Sequence, residues 1–276
     1  MSTGPLAPSN LPGDVAAMQD LDGLRTALIM AHPGHECRIL GWTRRLRPRV
    51  SILTDGSGRA GTPRIARTAH ILSDSGASQG RVFGLSSDRD VYESVLRRRT
   101  TYFCDVAKRL ADDLIQHDVE LTLGDSAEGE IMVHDLFREI RAAAVQIAET
   151  AMGRTIRHYE FPLESHPVAT PPGLVSPALK LALSRADFRR KMAIARTYEQ
   201  IAPFVDAALA KFGEEAFALE CLFPFTKQSL VPDGDVDLPY EQHGRRQVEL
   251  GHYSEAITRR GHLEPLTACL AELVAA

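Results

Sequence analysis

A chain of 276 residues, 44% of them hydrophobic and 25% charged, carries enough apolar material for a substantial core and lacks the bias of a disordered or fibrous protein. Its formal net charge of −4 gives no basic field of the kind that draws nucleic acid or an anionic membrane surface, so neither is expected as a partner. Four scattered cysteines without a CxxC pair, and no stretch with the pattern of a secretory leader or of a membrane span, point to a cytoplasmic protein with reduced thiols.

Residues 1–22 are rich in Pro, Gly, Ser and Asp and read as a flexible arm. The fold proper starts with the apolar run Ala27-Leu28-Ile29-Met30-Ala31, which enters His32-Pro33-Gly34-His35-Glu36 and then a helical rhythm through Leu46. This is a strand, a tight turn and a helix start, and in open α/β sheets ligands bind outside the carboxyl ends of the strands. Cys37, beside this turn, is expected to be sensitive to oxidation. A second strand over 50–53 runs into Thr54-Asp55-Gly56, and a helix follows from Pro63 to about Gly76. Residues 81–85 read as a third strand, followed by a polar loop with Asp88, and 91–116 as one long helix whose Arg97-Arg98-Arg99 run faces solvent.

A fourth strand over 119–123 leads into a second chemically loaded loop: Gly124, Asp125, Glu128, Gly129, Glu130 and then His134 before a helix from 136 to about 151. Acids and imidazoles concentrated in two post-strand loops suit a zinc site with one position open to water. The alternative is ordinary helix-terminus electrostatics, with the acids favouring the helix N-terminus. Parallel strands with a switch point between the first and fourth would bring the two loops together.

The strand followed by Ala31-His32-Pro33-Gly34-His35-Glu36 resembles the A-H-P-D-D-E motif of the LmbE/PIG-L family of zinc-dependent N-deacetylases. Leu53-Thr54-Asp55-Gly56 resembles that family's second strand and turn, Arg64 or Arg67 its arginine-bearing helix, Asp88 its acidic loop and His134 its distant histidine ligand. The similarity covers 25 to about 160. It implies a Rossmann-like parallel sheet flanked by helices, a zinc ion held by His32, His35 and His134, and hydrolysis of an acetamido group on an amino-sugar-type small molecule or its conjugate. Arg64 and Asp88 are then the substrate-binding candidates.

Two departures stand out: Gly34 occupies the position of the family's general base, and His35 replaces a ligand aspartate. Ile131 stands three residues before His134, where the family often has a further histidine. A three-histidine site is less anionic, which makes its zinc a stronger Lewis acid. Asp125, Glu128, Glu130 and Glu36 are the carboxylates available as base, with Asp125 and Glu128 favoured and Glu36 alternatively a structural residue or a metal ligand. The core is expected to occupy 23–165. Residues 166–276 then form a C-terminal helical and irregular elaboration in the same domain, with a long amphipathic segment over 177–212 broken or kinked at Pro203; homo-oligomerisation is compatible with all of this. Two other functions fit the same residues: a metalloenzyme with a different biosynthetic reaction, or a catalytically silent member that binds a glycan or a partner.

Overall fold

The structure, a computed structural model, describes residues 18–276 except 59, 171–178 and 228–236. In chain order it contains β1 (Thr26–Met30), a 3-10 turn (His35–Ile39), α1 (Leu40–Leu46), β2 (Arg49–Thr54), α2 (Ile65–Asp74), β3 (Ser78–Ser86), α3 (Asp88–Leu96) and α4 (Thr100–Gln116). There follow β4 (Leu121–Asp125), α5 (Met132–Met152), β5 (Arg157–Phe161), β6 (Leu179–Ala182), α6 (Arg185–Thr197), α7 (Ala202–Phe212) and β7 (Leu219–Pro224). A second 3-10 turn (Glu214–Ala218) leads into β7, and α8 (Pro239–Glu249), a π-helical turn (Arg259–Leu263) and α9 (Glu264–Ala275) complete the chain.

The strands form one mixed sheet in the order β3-β2-β1-β4-β5-β7-β6. The first five are parallel, as the alternation of strand and helix predicts, while β7 is antiparallel to both β5 and β6. Side chains alternate across a strand, and the sequence of β1 supplies both faces. Ala27, Ile29 and Ala31 join Phe103, Val106, Leu110, Phe137 and Ile140 of α4 and α5 on one side. Leu28 and Met30 join Trp42 and Leu46 of α1, with Val50, Ile52, Leu121 and Leu123, on the other. A strand covered on both faces reads as a continuous apolar run.

Several expectations are corrected. The expected single helix over 91–116 is two, because Arg98 adopts φ 47 and ends the first; the left-handed region is costly inside a helix. The three arginines are therefore the bend between α3 and α4. Ser87 caps α3 by accepting the Asp90 amide at 3.1 Å, so this helix begins at Asp88, ahead of its apolar rhythm. The helix expected from 136 starts at Met132, which puts His134 in its first turn. Of the arm expected over 1–22, residues 1–17 lie outside the described residues; Met18 and Leu21 are packed into the core.

The segment expected to be helical over 177–212 contains β6 and two helices, and its first two residues lie outside the described ones. Pro203 begins α7 instead of breaking a helix, since a first-turn residue needs no amide partner. β7 was not legible, because a short apolar stretch has no period of its own to separate strand from helix. Among the described residues no helix is long and apolar enough to cross a membrane.

β7 also anchors the first helix. Glu220 accepts the amides of Gly41 and Trp42 at 3.1 and 3.0 Å, and Lys191 Nζ donates to it at 2.9 Å and to the Arg38 carbonyl at 2.7 Å. Both members of this ion pair are buried, and removing one partner of such a pair strands the other. Lys191→Met is expected to lower stability by about 3–5 kcal/mol, read as a reduced urea midpoint.

Candidate functional site

β1 and β4 are neighbours at the point where strand order reverses. The loops that leave their carboxyl ends consequently open into one crevice, and the histidines of the first meet His134, in the first turn of the helix that follows the second. Ring centroids lie 5.4 Å apart for His32 and His35, 5.3 Å for His32 and His134, and 4.7 Å for His35 and His134.

The turn after β1 is shaped by two residues. Gly34 adopts φ +105, and a Cβ there would stand 3.1 Å from Ile201 Cγ2. Glu36 is fully buried and closes the turn: its Oε2 accepts the Gly34 amide at 2.7 Å and its Oε1 accepts the Thr68 hydroxyl at 2.6 Å. The Tyr198 hydroxyl lies 3.0 Å from Thr68 Oγ1 and donates to the Arg64 carbonyl. Burial raises the Glu36 pKa, while the Thr68 and Gly34 bonds act in the opposite sense. Both carboxylate oxygens thus serve the scaffold of the turn. Cys37, beside it, is buried against α2 and α6, and burial pushes its thiol pKa well up, a setting that disfavours the oxidation-prone thiolate expected from its position.

Two histidines have carboxylates behind them. His35 Nδ1 lies 3.0 Å from Asp125 Oδ2, an oxygen that also accepts the Ala31 amide at 2.7 Å. His32 Nδ1 lies 2.9 Å from both Thr54 Oγ1, at the end of β2, and Asp88 Oδ1, at the start of α3. A carboxylate only accepts, so each contact places a proton on Nδ1 and leaves Nε2 its lone pair. Burial works against the charge on both acids. It is outweighed at Asp125 by His35, which brings the pKa down to about 2, and at Asp88 by His32, the Gly58 amide and Thr54. His134 is held well below the usual imidazole range by burial first and by the other two histidines next.

The remaining candidates divide. Glu128 is taken up by backbone: its carboxylate accepts the amides of Leu163, Glu164 and Ser165 at 2.6, 2.9 and 2.7 Å. Those bonds clamp the loop after β4 to the loop after β5, while the amides of Glu128 and Gly129 donate to Asp135 in the first turn of α5. Arg64 Nε donates to the Pro33 carbonyl at 3.0 Å, bracing the turn. Glu130 is exposed. Glu164 carries no signal of its own in the sequence, since it sits in a segment that reads only as a proline-rich loop. Burial raises its pKa first and the charge of Glu128 second, with His35 acting in the opposite sense.

A divalent metal makes specific demands on such a donor set. Zinc–nitrogen bonds of about 2.0–2.1 Å at tetrahedral angles put imidazole centroids roughly 5 Å apart, the separation found here. Asp125 Oδ1 is buried without a hydrogen-bond partner, on the carboxylate that backs Nδ1 of His35. Among the described residues, as their side chains stand, no group of three or more His, Cys, Asp or Glu is arranged so that it could hold a metal ion. What favours a cation here is the ring separation together with the Nδ1 contacts of His32 and His35, which leave their Nε2 lone pairs available.

Fold and site together define an α/β protein with a cluster of three histidines, His134 buried and the other two partly buried and backed by carboxylates, at a switch point of the sheet. No protein-family model matches the chain. No curated protein matches it either. Solved structures similar to it include the zinc-inhibited form of teicoplanin deacetylase Orf2, with 12% identity over 83% of this chain and 95% of that one and a TM-score of 0.49. A deacetylase triple mutant of the teicoplanin biosynthetic pathway has 12% identity over 74% of this chain and 100% of that one, with a TM-score of 0.47.

Two outcomes follow from the geometry. Gly34→Asp, which would restore the acid of the A-H-P-D-D-E pattern, forces a side chain into a positive-φ position against Ile201. It is expected to cost on the order of 1–3 kcal/mol, measured by chemical denaturation. The Asp125 pKa lies below its ordinary 3.8, so the stability it contributes is complete above that value and is lost as pH falls through about 2. In Asp125→Asn this part of the acid limb is expected to flatten in denaturation curves recorded across that interval.

Proposed function

We propose that this protein is a metal-dependent hydrolase of an amide, with an acetamido group on an amino-sugar-type molecule as its substrate class. The observation that carries the reading is the meeting of His32 and His35, from the turn after β1, with His134, from the first turn of α5 about a hundred residues further on, with the Asp125 carboxylate behind His35. The three imidazoles are the residues that would hold a divalent ion, zinc by their donor chemistry. When bound, such an ion supplies Lewis acidity toward an amide carbonyl. The amide class, and the sugar in particular, rest on the resemblance of the Ala31–Glu36 motif to the LmbE/PIG-L deacetylases.

The chain's own residues have separable tasks in this reading. Asp125 orients His35 and keeps its proton on Nδ1, while Asp88 and Thr54 do the same for His32. Asp88 is therefore placed as a support for a ligand, and its second oxygen holds the Gly58 amide. Arg64 keeps its terminal nitrogens for an anionic or hydroxyl group of the substrate while its Nε braces Pro33. Proton transfer needs a carboxylate that is not already committed. Glu128 is committed to three amides and Gly34 has no side chain, which leaves Glu164, at the crevice-side loop after β5, to take the proton from the attacking water and return it to the leaving amine. The raised pKa of Glu164 suits a group that must both accept and give back a proton.

Metal analysis of purified protein, paired with an assay of acetylated amino sugars, tests the reading. Near-stoichiometric metal is expected in the wild type and its loss in His35→Ala and His134→Ala. Glu164→Gln is expected to keep the metal and lose about 10²–10⁴-fold in turnover. Asp125→Asn is expected to weaken metal binding about 10–100-fold. Absence of metal from the wild type, even after zinc is supplied, would rule out the hydrolase. Because Gly34 stands where a base is expected, a second reading has an observation of its own: metal retained with no turnover of any acetamido substrate would identify a binding protein built on the same cluster.

A further inference from the structure

The π-helical turn and α9 bring Cys269 against α4, where its Sγ lies 3.1 Å from Sγ of Cys104, 165 residues away in the chain. Both are free thiols. They belong to the same packed layer: Leu266 and Leu270 of α9 and Phe103 and Ala107 of α4 are buried in one cluster. The two sulfurs therefore meet across two helices that the core already fixes, so joining them requires little backbone movement. Cys104 is nearly covered, and Cys269 is partly exposed at the surface of α9. A covered thiol beside an accessible one forms a pair in which one sulfur meets the oxidant and the other resolves it.

We propose that Cys104 and Cys269 form a reversible redox site, a disulfide that ties the C-terminal helix to α4 when the protein meets a disulfide-type oxidant such as glutathione disulfide. In the first step the Cys269 thiolate attacks one sulfur of glutathione disulfide, forming a mixed disulfide and releasing one glutathione thiolate. In the second, the Cys104 thiolate attacks Sγ of Cys269, the mixed disulfide breaks, and a second glutathione thiolate leaves. The two protons lost by the protein thiols end on the two glutathione molecules, and the protein is oxidised by two electrons while one glutathione disulfide is reduced.

The other two cysteines supply an internal control. Cys37 and Cys221 are both buried, on the opposite side of the sheet from α4 and at β7 respectively. Burial raises the pKa of Cys104 to about 11, so the exchange is expected to accelerate with rising pH as its thiolate becomes available.

The test incubates reduced native protein with glutathione disulfide, quenches with acid, alkylates the remaining thiols and maps peptides by mass spectrometry. The expected result is loss of two of the four thiols, a crosslinked peptide pair containing Cys104 and Cys269, and full reversal by dithiothreitol. Cys104→Ser is expected to stop at a glutathione adduct on Cys269, and Cys269→Ser to show neither adduct nor crosslink. Thermal denaturation of oxidised wild type is expected to shift upward, with no such shift in either variant. Four thiols surviving prolonged exposure, a bond between any other pair, or a crosslink formed only after the protein unfolds would overturn the proposal.

Discussion

A single carboxylate oxygen ties the strand framework to the chemistry. Asp125 Oδ2, on the last residue of β4, accepts the Ala31 amide just beyond β1 and faces Nδ1 of His35. One contact continues the pairing of the two central strands past their ends; the other fixes the ring of a histidine four residues further along. The carboxylate is 1% exposed, and its cost of burial is met by these partners and by the neighbouring imidazoles. Without the parallel pairing of β1 and β4, neither contact would exist.

Around that bond the turn is built by exclusion as much as by attraction. Gly34 passes through a conformation few side chains accept, close to Ile201, and Glu36 holds the turn's amide from below. The missing acid at position 34 is thus part of the backbone geometry of this chain as well as a change of side chain. Similar close packing acts on the other side: a Cβ at Gly124 would stand 1.7 Å from Arg141 Nη1, so the buried arginine of α5 can lie against β4 only because that residue is glycine. Arg138, one turn earlier in α5, donates to Glu160 of β5 at 2.8 Å. The helix that carries His134 is thereby fixed to both strands beneath it.

The carboxylates near the cluster illustrate how burial and hydrogen bonding sort chemically equal groups. Asp125 and Asp88 support imidazoles, Glu128 and Asp135 lock loops, and Glu36 locks a turn. Each is occupied by donors that stabilise its charge or its place. Glu164 differs because it is the backbone amide of this residue, and not its carboxylate, that is used in the clamp. Burial raises the proton affinity of that carboxylate, and the charge of Glu128 acts in the same sense.

The sequence by itself determined the first four parallel strands and their loops, and offered three histidines as one candidate set. Apolar runs closed by Gly, Pro and polar residues leave little choice of local structure, and the A-H-P-x-x-E pattern singled out the first turn. The tertiary structure decided what periodicity does not encode. The β1–β4 pairing joins loops distant in sequence, and the edge strands β6 and β7 are defined by hydrogen bonds to partners elsewhere in the chain. Glu128 and Glu164 are interchangeable by residue type. Only the path of the loop after β5 places one on three amides and leaves the other free, because a carboxylate's role is set by the donors and charges that the fold brings to it.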